Sequence, residues 1–257
     1  MSLAYMHVPK TGGITLTSEL GKMGGKAPYV FYLRESNKEN ESGRWLTGGS
    51  SWYPGKCDLG RYDLLLGHGF LDSFQAAGAD TFITVLREPR SRLLSSYFYF
   101  RDFVVPRLRL LPPSMFDVKL FAPRRLSLME YILAADRDAN PICNLCAPDD
   151  KGIASTIAAL RNFAMVGFTE KLGDAVNWLS GFFSTRLFAN NTVNATCPRG
   201  ETILGGSVDE IVDALDRRTA PDGEIYRWAA GNRREGFSAP PDPDETLERA
   251  MAKFGIV

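Results

Sequence analysis

The sequence predicts an α/β fold in which a parallel β-sheet is flanked by helices and the C-terminal part is helical. Short, continuous apolar runs alternate along the chain with stretches of helical periodicity. That alternation is typical of strands buried on both faces and joined by crossover helices. The length of 257 residues suits one domain with a substantial core, so residues 1–257 are predicted to form a single domain.

The predicted elements begin with a strand, a turn and a helix, and this unit recurs. The first strand is "LAYMHV", and the helical spacing of "ITLTSELGKMG" follows its turn. Further strands are predicted at "YVFYL" (29–33), "YDLLLGHG", "TFITVLREP" and the start of "FAMVGFTEKLGDAVNWLSGFF". Further helices are predicted at "LDSFQAAG", "RSRLLSSYFYFRDF", "LSLMEYILAA", "KLGDAVNWLSGFF", "SVDEIVDALDRR", "DGEIYRWAAGNRREGF" and "DETLERAMAKFGI".

Residues 36–57 form a long segment rich in serine, glycine and asparagine that interrupts this alternation. Such a segment is predicted to be a flexible loop with a functional role. A disordered insertion is the alternative, although Trp45 and Trp52 favour some packing.

Composition excludes several classes of partner. Lys and Arg together number 30, as do Asp and Glu, so the overall charge gives no reason to expect nucleic acid, and a basic site must be local. No apolar run approaches about 18 residues and no secretory signal is evident, so we expect no membrane span and a cytoplasmic location. No oligomeric state follows from these features.

Four cysteines lie at Cys57, Cys143, Cys146 and Cys197. Only "CNLC" has the spacing of a redox or metal site, and neither histidine is near it in sequence. We therefore predict free or buried thiols and no metal centre, with a local disulfide or a metal site as the alternatives.

The turn after the first strand carries the chemistry of an anion site. In "HVPKTGGIT", Gly12 and Gly13 allow the backbone N–H groups to approach a ligand, and the following helix presents its positive end. Lys10 adds a full charge, and Thr11 and Thr15 add hydroxyls. These groups suit a phosphate or a sulfate. A tight strand-to-helix turn with a solvated lysine is the alternative.

A nucleoside triphosphatase loop fits this turn poorly. Its pattern places the lysine after the second glycine, whereas Lys10 precedes both glycines here. The strand end in "TFITVLREP" carries Arg87, which suits a bare anion better than a metal ion. Glu88 is the one acid placed to hold Mg²⁺ there, and it comes directly before a proline.

Charged or titratable residues lie at the ends of three predicted strands. The carboxyl ends of parallel strands meet at one edge of the sheet. These residues are Lys10 in its turn, His68 and Arg87. His68 is predicted to have a chemical role, whereas His7 is predicted to pack or form hydrogen bonds. In "LREPRSRLLSSYFYF", Ser91 is placed to cap the helix, and Ser95 lies one turn further on.

With these pieces in order, the sequence resembles the sulfotransferases that use 3′-phosphoadenosine 5′-phosphosulfate (PAPS). It is most similar to the carbohydrate branch that contains the heparan sulfate and uronyl 2-O-sulfotransferases. The resemblance is carried by the stretches "HVPKTGGIT", "GHGFLDSF", "VLREPRSRLLSSYFYFRDF", "FAMVGFTEKLGDAVNWL" and "GEIYRWA". It covers most of the chain, and it implies a P-loop-like sheet with helices on both faces.

The resemblance also implies roles for individual residues. Arg87 and Ser95 would hold the 3′-phosphate, and His68 would be the catalytic base. Lys10 would stabilise the leaving group. The 5′-phosphosulfate would be held by the turn residues Lys10, Thr11, Gly12, Gly13, Ile14 and Thr15. The sequence departs from the 2-O-sulfotransferases at Leu66, where those enzymes have a second histidine.

We therefore expect a PAPS-dependent sulfotransferase that acts on a hydroxyl of a carbohydrate or small molecule without a metal ion. The segment 104–160 is predicted to be a helical insertion on the acceptor side. An ATP- and Mg²⁺-dependent kinase of P-loop type and a non-catalytic nucleotide- or glycan-binding module are the alternatives.

Overall fold

A computed structural model describes residues 3–12, 16, 20, 29–32, 64–68, 71–76, 78–104, 126–135, 139–146, 152–184, 186–187 and 201–257. The predicted loop at 36–57 lies outside these residues, as does the part of the predicted insertion between 105 and 125.

The described residues contain one five-stranded sheet with the strand order β2-β3-β1-β4-β5. Every neighbouring pair of strands is parallel. The strands are β1 (Leu3–Met6), β2 (Tyr29–Tyr32), β3 (Leu64–His68), β4 (Thr81–Leu86) and β5 (Met165–Phe168). The predicted parallel α/β sheet is confirmed, and each strand lies within a run that the sequence singled out.

Both faces of the central strand are covered. All four residues of β1 are buried, and successive side chains of a strand point to opposite faces. On one face, Leu3 and Tyr5 belong to a core that also contains the helical residues Leu16 and Leu20. This burial explains why the strands are continuous apolar runs rather than alternating ones.

Helices occupy most of the remaining described residues. They are α1 (Leu71–Ala76), α2 (Pro89–Tyr99), α3 (Leu128–Ala134), α4 (Pro141–Cys146), α5 (Ile153–Leu160), α6 (Leu172–Phe182), α7 (Val208–Gly231) and α8 (Pro243–Lys253). A π-helical turn at Phe100–Val104 follows α2, and a 3-10 turn at Thr169–Lys171 precedes α6.

The prediction of two separate helices around Pro221 is wrong, because α7 runs through this proline. The side chain of Asn140 fills the place of a lost helical bond. Its amide nitrogen donates to the carbonyl of Arg218 at 2.8 Å, and its oxygen accepts from the N–H of Asp222 at 3.2 Å. These two groups would otherwise bond to each other in the i→i−4 ladder.

The chain divides into two compact units that alternate along the sequence. The first comprises Met1–Arg87, Pro141–Val193 and Arg227–Pro240, and it contains the sheet. The second comprises Glu88–Asn140, Asn194–Tyr226 and Pro241–Val257. The single domain expected over residues 1–257 stays a prediction.

The second unit has its own apolar core, which α2, α3, α7 and α8 supply. Within it the rings of Phe98 and Phe254 stack with centroids 4.1 Å apart. The guanidinium of Arg90 binds three carboxylates, those of Glu88, Asp216 and Asp244. Burial opposes the charge of Arg90, but these carboxylates raise its pKa above the usual value.

A glycine contact in the second unit gives a testable prediction for stability. Ser127 caps α3 in a capping box with Glu130. Gly205 has a φ of 75°, and a Cβ at this position would lie 2.3 Å from the Ser127 hydroxyl oxygen. Because the clash adds to the backbone strain, we expect Gly205→Ala to lower the free energy of unfolding by about 3 kcal/mol or more.

Gly255 is the matched control in the same unit, with a φ of 64° and no atom within 4 Å of the added carbon. Gly255→Ala should cost only the strain of a positive φ, about 1–2 kcal/mol. Urea unfolding followed by circular dichroism compares the two variants, and equal losses would contradict the clash with Ser127.

Candidate functional site

Three neighbouring strands bring the predicted site residues to one edge of the sheet. Strand β1 lies between β3 and β4, and all three are parallel, so their carboxyl ends share that edge. His68 is the last residue of β3, the turn at Lys10 follows β1, and Arg87 follows β4 directly. Neighbouring strands lie about 4.8 Å apart, so His68 and Arg87 flank the strand that carries the lysine turn.

Hydrogen bonds hold the turn after β1 to the sheet and to itself. The Thr11 hydroxyl donates to the carbonyl of Val8 at 2.8 Å. The N–H of His7 donates to the carbonyl of Gly67 in β3 at 2.8 Å. On the other side, the Thr84 hydroxyl in β4 donates to the carbonyl of Met6 at 2.8 Å. The turn is therefore anchored to both neighbouring strands.

The backbone of the turn adopts a conformation that is rare for side-chain-bearing residues. Lys10 has a φ of 67° and Gly12 a φ of 76°. For a non-glycine residue this region costs about 1–2 kcal/mol, and such strain clusters at binding and catalytic sites. Backbone N–H groups in turns of this kind form concavities that bind anions.

Helical residues follow this turn. The N–H of Leu16 bonds to the carbonyl of Gly12 at 3.5 Å, which is an i→i−4 bond, and Leu16 and Leu20 are helical. The positive end of this helix therefore lies at the turn. Gly13, Ile14 and Thr15, which the sequence also assigns to the site, lie outside the described residues.

Arg87 joins the end of β4 to the lysine turn. Its Nη1 donates to the carbonyl of Lys10 at 3.3 Å, and the side chain is half-buried. After β1 the chain continues to β2 and β3, which lie on one side of β1 in the sheet. Strands β4 and β5 lie on the other side of β1. Ligands of open α/β sheets bind where the strand order reverses in this way. Arg87 and Lys10 lie on either side of that point.

The two histidines have different surroundings. The backbone of His68 pairs with that of Tyr32 in β2, and His68 is the last residue of β3. His68 therefore lies at the carboxyl-terminal edge of the sheet. His7 is buried, and its ring stacks on Tyr5 with centroids 5.6 Å apart, in agreement with the predicted packing role. Leu66, where the sequence departs from the 2-O-sulfotransferases that it resembles, is buried in the core of the first unit.

Thr169 is a contact of the turn that sequence reasoning did not assign to the site. Its hydroxyl donates to the carbonyl of Leu86, next to Arg87, at 3.1 Å. Thr169 and Leu172 also lie within ordinary contact distance of a Cβ built on Gly12. The signal was present in "FAMVGFTEKLG", where a short apolar run ends in threonine and charged residues.

The start of α2 differs from its prediction, because Glu88 caps this helix and Ser91 does not. The Glu88 carboxylate accepts from the N–H of Ser91 at 2.7 Å and from the N–H of Arg90 at 3.2 Å. The Ser91 hydroxyl donates to the carbonyl of Glu88 at 2.9 Å. Ser95 is buried in α2 and belongs to the second unit, whereas Arg87 belongs to the first. The shared phosphate contact of Arg87 and Ser95 stays a prediction.

Cys143 and Cys146 are buried in α4 and are not joined to each other by a disulfide, in agreement with the predicted burial of this pair. Cys57 and Cys197 lie outside the described residues. Within the described ranges, no group of three or more His, Cys, Asp or Glu side chains is arranged to hold a metal ion. The helices described there also include none that is long and apolar enough to cross a membrane.

Comparison of the chain with models of known protein families and with curated protein sequences finds no match.

Proposed function

We propose that this protein is a sulfotransferase that moves a sulfuryl group from PAPS to a hydroxyl of an acceptor, for which the resemblance favours a carbohydrate. The observation that carries the proposal is the hydrogen bond from Arg87 to the carbonyl of Lys10. It unites two cationic residues from separate strand ends at the point of the sheet where ligands bind.

The residues at this edge fit the proposed donor. PAPS has two anionic ends, a 3′-phosphate and a 5′-phosphosulfate, and the site offers one cation at each of two strand ends. Lys10 and the turn amides would hold the phosphosulfate. Arg87, whose planar guanidinium suits a phosphate, would hold the 3′-phosphate.

A P-loop-like architecture is part of this proposal. The strand that precedes the turn is the central one of the five described strands, and the N–H of the helical residue Leu16 bonds to the carbonyl of Gly12. Backbone N–H groups and a helix N-terminus at the end of a central strand form the usual cradle for phosphate groups.

The proposed chemistry assigns a separate task to each residue. His68 accepts the proton of the acceptor hydroxyl, the usual task of a neutral imidazole acting as a general base. The acceptor oxygen forms a bond to sulfur while the bond from sulfur to the bridging phosphate oxygen breaks. Lys10 and the turn amides stabilise the charge that develops on the leaving phosphate, and a well-placed donor is worth about 2.7–4 kcal/mol.

One observation favours this reaction over an ATP- and Mg²⁺-dependent kinase. Glu88, the acid that follows the end of β4, is buried, and its carboxylate binds the backbone and side chain of Arg90 and the N–H of Ser91. A carboxylate bound in this way has little capacity left for Mg²⁺, which kinases of this type hold through an acidic residue.

Calorimetry with the whole chain tests the nucleotide. We expect adenosine 3′,5′-bisphosphate to bind at least tenfold more tightly than ATP with Mg²⁺, because the bisphosphate engages both cations. The reverse order would favour the kinase. Transfer of labelled sulfate from PAPS to a panel of glycans and small alcohols then tests catalysis. Tight bisphosphate binding without transfer to any acceptor would favour the non-catalytic module.

A further inference from the structure

A cavity lies at the amino-terminal edge of the sheet, opposite the proposed sulfotransferase site. It shares no residue with that site. It lies within the first unit, has a volume of about 320 Å³, and is lined by the segment that leads into β5 and by the end of α7. Ala164 and Met165, where β5 begins, form part of its wall. It therefore lies at the amino end of β5, away from the carboxyl ends that carry the lysine turn.

Three arginines line this cavity, and none of the described lining residues is acidic. Arg161, Arg233 and Arg234 contribute the guanidinium groups. Among the described residues, none of the three pairs with a carboxylate. Three exposed arginines without an acid among the lining residues make this cavity locally positive.

Neighbouring groups orient two of these three exposed arginines. Arg234 donates to the carbonyl of Ala164 at 2.6 Å and lies over the ring of Trp178, 5.5 Å from its centroid. Arg233 donates to the carbonyls of Ala230 and Phe237 at 3.1 and 3.2 Å. A guanidinium has five N–H donors, so these bonds orient each group and leave further donors for a ligand.

The cavity also offers an aromatic surface and an amide. Trp228 lines it, and the guanidinium of Arg161 lies 5.9 Å from the centre of the Trp228 ring system. Asn232 adds a carboxamide to the lining. An aromatic side chain beside several cations suits a small, ring-containing ligand that carries anionic groups. The volume is at the lower end of the range for small-molecule sites.

We propose that this cavity is a second ligand site, which binds a sugar bearing sulfate or phosphate ester groups. The arginines bind the ester oxygens through charge-assisted hydrogen bonds, and Trp228 packs against the sugar ring. The site is separate from the Lys10–Arg87 edge, and its occupancy does not require the sulfotransferase reaction.

Calorimetry of the whole chain with a sulfated disaccharide and with glucose 6-phosphate tests the site and distinguishes its two ligand sources. We expect at least one to bind with an affinity that falls as salt is raised. The double variant Arg161→Gln/Arg233→Gln should lose at least about tenfold of that affinity. Its unfolding temperature, measured in parallel, must remain close to that of the parent.

Arg227 provides the matched control, because it is exposed on the same helix next to Trp228 and does not line the cavity. Arg227→Gln should keep the affinity. Equal losses from Arg227→Gln and from the double variant, or no binding of either sugar, would overturn the proposal. The variant Arg87→Met should bind the sugar normally, which separates this site from the proposed nucleotide site.

Discussion

Replacing His68 with alanine is expected to lower the turnover of sulfuryl transfer by about 10²–10⁴-fold, the usual contribution of a general base. His68 ends β3, beside the strand that carries the lysine turn. The imidazole is assigned to proton removal and not to nucleotide binding. The affinity for adenosine 3′,5′-bisphosphate should therefore change little, and single-turnover kinetics with PAPS together with calorimetry measure the two effects separately.

The pH profile distinguishes a base from a structural residue. A histidine base makes kcat/KM fall on the acidic side of the profile, where the imidazole is protonated and cannot accept a proton, and His68→Ala should lose this limb. His7→Phe is the control, because it keeps a ring stacked on Tyr5 and removes the other titratable imidazole. If the acidic limb persists in His68→Ala, or if turnover is retained, another group is the base.

Replacing Arg87 with methionine is expected to weaken the binding of adenosine 3′,5′-bisphosphate by about tenfold to a hundredfold, since hydrogen bonds to charged groups contribute about 1.5–3 kcal/mol each. Methionine keeps much of the length of the side chain and removes the charge. Adenosine 5′-monophosphate lacks the 3′-phosphate, so its affinity should be almost the same for parent and variant.

The comparison of the two nucleotides locates the effect at one phosphate. Arg227→Met removes an exposed arginine from the same unit and should leave both affinities unchanged. A parallel loss for the bisphosphate and the monophosphate in Arg87→Met would mean that Arg87 acts through the lysine turn, by its bond to the Lys10 carbonyl, and not through the 3′-phosphate.

Strands β1 and β4 could be predicted from the sequence because both of their faces are buried. Continuous apolar runs such as "TFITVL" have no polar face, and all described runs of this kind are strands of the parallel sheet. Helix α4 was not predicted as a separate element within the helical segment 104–160, since its six residues are too few for a helical period to be visible. The continuity of α7 was missed because the side chain that bridges its proline lies 82 residues away in the chain.

For the candidate site, the sequence could predict only which residues lie at the strand ends. The order of the motifs placed Lys10, His68 and Arg87 at one edge, because parallel strands end on the same side. The bond from Arg87 to the Lys10 carbonyl joins residues 77 positions apart, and its geometry depends on the strand order. Glu88 was missed as a cap because serine, aspartate and asparagine are the residues expected there, and a serine lay close by.

The carboxamide of Asn140 within α7 has a consequence for how this sequence can vary. One side chain supplies both the donor for Arg218 and the acceptor for Asp222; aspartate at pH 7 lacks the donor, and leucine lacks both. Pro221 disrupts the helical ladder at this turn, so the carbonyl of Arg218 and the N–H of Asp222 bond to Asn140 and not to each other. The choice of residue at position 140 is therefore tied to that at position 221.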